Sequence, residues 1–175
     1  DVYLEQQKKK TGKENASEYG IIERDGMQWI FYRLDYNILA GTVGAAEALT
    51  FEDATNLAHE RNLPLATVCA TAGARQHENT LALSAMGASV AVLNRYPPLF
   101  HANIYTGNVY GGVPASFAGV ANLLISVNSP DTNLGFTGPR TVAKTMGKEP
   151  KGPKAEDAYA VFPEEEKDVN TPLRH

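Results

Sequence analysis

Only one cysteine, Cys69, occurs among the 175 residues. A disulfide framework is therefore excluded, and so is any all-cysteine metal site within the chain. No run is long or apolar enough to span a bilayer. The opening DVYLEQQKKK lacks the apolar core of a signal peptide. There is no excess of basic charge: the net charge is −4, which argues against a nucleic-acid partner. Side-chain catalytic signatures are missing as well. The sequence holds no G-x-S-x-G elbow, no HExxH, no Walker loop and no GxGxxG. Of the four histidines, His59, His77, His101 and His175, none has a partner at metal-ligand spacing, so no metal site is expected. His59 reads as a helix-surface residue, His101 as a satisfied core residue in a strand, and His77-Glu78 as the opening of a helix, where acid favours the dipole. Cys69, inside PLATVCA, reads as a small buried hydrophobe in a reducing compartment.

The composition is that of one ordinary globular domain, 43% apolar and 21% charged. Residues 2–10 read as a short polar helix stopped by Gly12. EYGIIERDGMQWIFYRLDY reads as a hairpin turning at Asp25-Gly26. A helix follows over about 46–60, then the buried strand PLATVCA, the small-residue loop TAGAR, and a long helix over about 76–95. Leu81, Met86, Val90 and Leu93 mark that helix's apolar stripe. LFHANIY is the next strand, TGNVYGG a second glycine loop, VPASFAGVANLL a small-residue helix, and LLISV a further strand. A short strand near 133–136 ends in TGPR, where Pro139 suits a helix start. Strands alternating with helices predict an α/β fold with a mostly parallel sheet and a site on the loops that follow the strands. After Gly147 the composition changes to a proline-rich tail charged in both signs. The boundaries expected are 1–147 for the domain and 148–175 for an extended arm, with residues 159–162 as its docking point.

Chemistry without side-chain catalysts points to main-chain amides. In Thr71-Ala72-Gly73-Ala74-Arg75, small residues sit between a buried strand and a helix, where the backbone approaches a ligand and helix-start N–H groups are free. Tyr110-Gly111-Gly112-Val113 repeats that layout. Such amides can hold an oxyanion. Taken alone, either loop reads more readily as a tight turn than as a site.

Taken in order, the motifs are more specific. Lys9-Lys10-Thr11-Gly12 precedes the hairpin, followed by Gly41-Thr42-Val43-Gly44, then Leu63-Pro64-Leu65 running into Ala72-Gly73-Ala74-Arg75, then Gly111-Gly112-Val113-Pro114-Ala115-Ser116-Phe117-Ala118, and Gly135-Phe136-Thr137-Gly138-Pro139-Arg140. Over roughly residues 1–146 this series resembles the β subunit of acetyl-CoA carboxylase carboxyltransferase and related acyl-CoA carboxylases. The resemblance implies a crotonase-like spiral of ββα units, shortened at its C-terminus. It implies transfer of a carboxyl group from carboxybiotin to the α-carbon of an acyl-CoA, as in fatty acid biosynthesis. The biotin would ride on a biotin carboxyl carrier protein, and an α-type subunit would complete a hetero- or homo-oligomer in the cytoplasm or a plastid. By motif, Ala72, Gly73, Gly111 and Gly112 would form the catalytic amide site. Gly41, Gly44, Arg75, Val113, Gly138 and Arg140 would shape substrate binding.

The chain departs from the family pattern at Ala72, which stands where the family has glycine and would strain the loop if its φ were positive. His77 and Asn79 also differ, and the four-cysteine zinc ribbon of bacterial β subunits does not occur in these 175 residues. Two other readings stay open. One is a biotin-independent crotonase-type decarboxylase or hydratase using Glu47 and Glu78 as acid and base; the other is a non-catalytic assembly subunit that keeps the fold. Lys8, Lys9, Lys10 and Lys13 read as a solvated face before they read as a phosphate contact.

Overall fold

A computed structural model describes residues 2–13, 15–129, 132–138, 143 and 147. The chain opens with α1 (Val2–Thr11), which ends where Gly12 takes φ +72 and its N–H reaches back to Lys8 O (2.8 Å). The hairpin follows as β1 (Ser17–Arg24) and β2 (Met27–Leu34), paired antiparallel from Ser17–Leu34 to Arg24–Met27. Asp25 and Gly26 both take positive φ, as a two-residue hairpin turn requires. Then come α2 (Ala45–Glu60), β3 (Leu65–Thr71), α3 (Thr80–Arg95), β4 (His101–Tyr110), β5 (Leu123–Ser126) and β6 (Leu134–Gly135). Sheet order is β1-β2-β3-β4-β5, with β6 also on β4, and every pairing after the hairpin is parallel.

The core lies between this sheet and α2. Tyr32, Phe51 and Phe117 meet there with ring centroids 4.5–5.9 Å apart, and all three are fully buried. The Tyr32 hydroxyl donates to Glu47 O (3.2 Å), so the phenol enters the core with its polar end satisfied.

Several elements differ from the sequence reading. The helix expected over 76–95 is broken. Residues 76–78 form one 3-10 turn, Asn79 takes φ 50 and ψ −128, and α3 starts afresh at Thr80. The break follows from Glu78, whose carboxylate is drawn away to Ala45 N and Arg75. On α3 the buried stripe is Ala82, Ala85, Met86, Ser89 and Leu93, whereas Leu81 is 55% exposed. Thr106–Tyr110 belongs to the strand: Val109 and Tyr110 pair with Leu134 and Gly135, so the second turn begins only at Gly111. Residues 113–122 form successive turns in place of a helix, held by bonds such as Ser116 N to Val113 O and Gly119 N to Ser116 O (both 3.1 Å). Pro114 has no N–H to give, and Gly119 folds back so tightly on Pro114 O that a Cβ would collide with it. Leu123 and Leu124 begin β5. Pro139 and Arg140, the tail 148–175 with residues 159–162, and His175 lie outside the described residues.

Two glycines give opposite expectations under the same substitution. Gly41 has φ +61 and its Cβ would collide with Ala70 O. Gly41→Ala is expected to lower unfolding stability by roughly 2 kcal/mol or more. Gly87 lies inside α3 with nothing within 4 Å of a Cβ, so Gly87→Ala is expected to raise stability by up to about 1 kcal/mol. Denaturant midpoints of the two variants check the sign of each.

Candidate functional site

Loops 41–44, 72–75 and 111–113 follow the carboxyl ends of β2, β3 and β4, the edge at which open α/β sheets place their ligands. The two glycine turns touch main chain to main chain. A Cβ on Gly73 would lie 2.8 Å from Tyr110 O and 3.2 Å from Gly111 Cα, and one on Gly111 would lie 3.2 Å from Gly73 Cα. Gly73 (φ +100) and Gly111 (φ +74) are also left-handed, so glycine is required at both positions by conformation and by space.

Three of the four amides expected to face a ligand already donate inside the protein. Ala72 N–H donates to Ala40 O (2.9 Å), Gly73 N–H to Thr71 Oγ1 (2.9 Å) and Gly111 N–H to Gly135 O (3.1 Å). Their assignment as oxyanion donors is therefore corrected. Ala72 itself is not strained, since its φ is not positive. The N–H groups of Ala74 and Gly112 have no partner among the described residues. The direction of the Ala74 N–H follows from the planar trans peptide. The Gly73 carbonyl accepts from Val43 N (2.9 Å), so the N–H on the same peptide points away from Val43. A Cβ on Gly111 would lie 3.7 Å from that nitrogen.

The residues expected to shape substrate binding mostly serve the interior. Arg75 is 1% exposed, and its guanidinium donates to Thr42 O (2.9 Å), Thr42 Oγ1 (3.4 Å), Glu47 (2.5 Å) and Glu78 (3.1 Å). It braces loops and is not offered to a ligand. Glu47, fully buried, also accepts from Ala16 N (2.7 Å) and Gly44 N (3.0 Å), and Glu78 accepts from Ala45 N (2.8 Å). Both carboxylates thus sit on the N-terminus of α2, where the helix dipole favours them, and neither is placed as a solvent-facing acid or base. Gly44 leaves room for Glu78, since a Cβ there would collide with its carboxylate. Gly41 leaves room for β3. Val113 is a fully buried core residue, and Gly138 packs beside the Tyr110 ring.

Two hollows flank the contact between the turns. One, of about 270 Å³, is lined by Leu39, Thr42, Ala72, Ala74, Gln76 and His77 among others. The other, of about 770 Å³, is largely apolar and is lined by Tyr105, Gly111, Ala115, Leu124, Gly135 and Phe136 among others. Burial pushes the Tyr105 phenol up to about 12, so it stays protonated near neutrality. The Ala74 amide and Tyr105 are the features that sequence reading missed. Peptide planarity after a carbonyl-bonded glycine points to the first. Tyr105 carried no motif.

The remaining titratable groups are structural. His59 is exposed, its Nδ1 2.9 Å from Pro97 O. His101 is 3% exposed and bonds Thr67 Oγ1 through Nε2 (3.0 Å). Thr67 gives its one hydrogen to Asn103 Oδ1 (2.5 Å), so Nε2 of His101 carries the proton it donates. Cys69 donates to the same Oδ1 (3.2 Å), and burial pushes its thiol far up, which leaves it unreactive. Among the described residues no helix is long and apolar enough to cross a membrane.

Solved structures share this architecture. A malonate decarboxylase hetero-dimer from Pseudomonas matches with TM-score 0.63 and 21% identity, over 83% of this chain and 66% of that one. The transcarboxylase 12S core, with hydrolysed methylmalonyl-coenzyme A bound, matches with TM-score 0.67 and 18% identity, over 77% of this chain and 26% of that one. The fold is the crotonase-like one of carboxyltransferase domains, as the motif series led us to expect. The sequence relatives narrow it. The acetyl-coenzyme A carboxylase carboxyl transferase subunit beta of Acaryochloris marina is 30% identical over 145 residues, covering 82% of this chain and 47% of that protein. The chloroplastic β subunit of Ceratophyllum demersum is 31% identical over 150 residues, 83% of this chain and 30% of that protein. Over these aligned residues the chain is a homologue of carboxyltransferase β subunits, and it spans about half or less of the length of those relatives. No protein-family model matches it.

Burial lowers His101 to about 4 from an ordinary 6.5. The unfolded chain then takes up a proton at a higher pH than the folded one. The stability present above about pH 6.5 is therefore lost as pH falls toward 4, by at most about 3 kcal/mol. His101→Gln is expected to flatten that part of the pH–stability curve. Denaturant titrations at pH 7, 5.5 and 4 measure it, and an unchanged slope in the variant would refute the assignment.

Proposed function

We propose that the chain is the acyl-CoA half of a biotin-dependent carboxyltransferase, in which main-chain amides at the ends of β3 and β4 stabilise a thioester enolate. The observation that supports this most is the contact between Gly73 and Gly111, which leaves the neighbouring Ala74 and Gly112 N–H groups without internal acceptors. Two free amides on adjacent turns suit the growing negative charge of an enolate oxygen, and one such donor is worth roughly 3 kcal/mol in a transition state. A Cβ at either glycine would push the two turns apart and so disturb both amides. The apolar hollow beside Gly111 suits the acyl portion.

A biotin group on a carrier protein would, when bound, supply the carboxyl group and the base for the α-proton. This chain's part is to orient the thioester and hold charge, in keeping with the engagement of Glu47 and Glu78 at the start of α2. An α-type subunit provides the biotin half of the site, and the reaction runs in a cytoplasm or plastid. The hydratase alternative loses its support, because Glu47 and Glu78 are both engaged at the start of α2.

The test is transcarboxylation from malonyl-CoA to biocytin by the full-length protein with its partner subunit. Gly73→Ala, which forces the turns apart, is expected to abolish it. Gly112→Val, whose side chain meets the movable Met86 thioether, is expected to lower kcat about 100-fold. Full activity in both variants would defeat the amide site.

A further inference from the structure

We infer that Arg75 is a positioning residue, which aims the Ala74 amide by locking its turn to the loop 41–44 and the first turn of α2; the inference rests on the enolate reading above. The turn is fastened on two levels. In the main chain, Val43 N–H donates to Gly73 O (2.9 Å) and Arg75 N–H donates to Val43 O (2.8 Å), one bond on each side of Ala74. In the side chain, the guanidinium continues the same connection, to both oxygens of Thr42, to Glu47 and to Glu78. Glu47 passes it on to Gly44 N and Ala16 N, and Glu78 to Ala45 N. The residue directly after the free amide is thus tied to four other segments while exposing only 1% of its surface.

Three features point to positioning and not to bulk packing. The partners are planar and directional: a guanidinium fork between two carboxylates fixes orientation in a way an ammonium or an apolar side chain does not. All of the partners lie at the carboxyl edge of the sheet or at the start of α2, and the clamp meets the aromatic core through the main chain of Glu47, whose carbonyl accepts from Tyr32. The carboxylates also take up the Gly44 and Ala45 amides at the N-terminus of α2, whereas the Ala74 and Gly112 amides have no acceptor among the described residues.

The experiment compares Arg75→Lys with Leu93→Ala, a core truncation near the far end of α3, in the intact carboxyltransferase assembly. Arg75→Lys is expected to lower kcat roughly 10- to 100-fold, the scale of a small misplacement of a catalytic group, while KM for acyl-CoA changes less than about threefold. Leu93→Ala is expected to lower Tm while leaving kcat unchanged. Should Arg75→Lys fail to fold, Glu78→Ala removes one arm of the clamp at a part-exposed position; its expected result is a kcat loss of roughly 10-fold with KM unchanged. Unchanged kcat in whichever of these clamp variants folds overturns the inference, as does a kcat loss in Leu93→Ala equal to that of the clamp variant. Absence of transcarboxylation in the unmutated assembly would instead refute the enolate reading itself.

Discussion

Two main chains meet at the carboxyl edge of the sheet: the turn after β3 lies against the turn after β4 at Gly73 and Gly111, with room for no side chain at either. Everything at this edge of the sheet depends on that contact. It sets the spacing of the two turns, stands beside the Ala74 and Gly112 amides that have no acceptor among the described residues, and separates the smaller hollow from the larger, largely apolar one. Because positive φ and lack of space coincide at both glycines, the contact is over-determined, which suits a site whose chemistry comes from fixed dipoles. Preorganisation of this kind needs support, and the support lies one layer away, where the buried Arg75 joins the loops that follow β2 and β3 to the start of α2.

That supporting layer also engages both acidic residues at this edge. Glu47 and Glu78 would repel one another near the start of α2. Arg75 lies between them, and the free amides of Gly44 and Ala45 meet their remaining oxygens. Burying a charge without partners is costly, so the group is stable only as a set. A carboxylate held in this way is committed at once to the helix start and to the guanidinium.

Much of the fold was legible in the sequence because local rules and tertiary structure agree there. Asp25-Gly26 requires the hairpin, Gly12 stops α1, and the alternation of LATVCAT buries one face of β3. The failures share a cause. Gly107 and Asn108 look like turn residues, yet they pass through a β-bulge: the register with β3 shifts between Cys69 and Thr71, and β4 moves on from β5 to pair with β6. Residues 113–122 have helix-compatible composition, but Pro114 and Gly119 let the chain fold back on itself. In α3, the pull of Glu78 toward a distant helix start overrides a continuous helical pattern. Each error lies where a long-range partner outweighs propensity.

The amide donors were misread for a different reason, and it bears on how main-chain sites show in sequences. Glycine is conspicuous, so the donors were placed on the glycines and on the residue standing in for one. Here the glycines provide space and unusual φ, while the hydrogen bonds that hold them in place use their own N–H groups. The donor left over belongs to the next peptide, whose direction is set by where the glycine carbonyl points. Alanine at 74 or 72 is then equally acceptable, since a side chain at neither position enters the contact and neither φ is positive. An oxyanion site of this type constrains the residue before the donor more tightly than the donor itself. That is why Ala72 in place of a glycine leaves the arrangement intact, and why a methyl group at Gly73 would not.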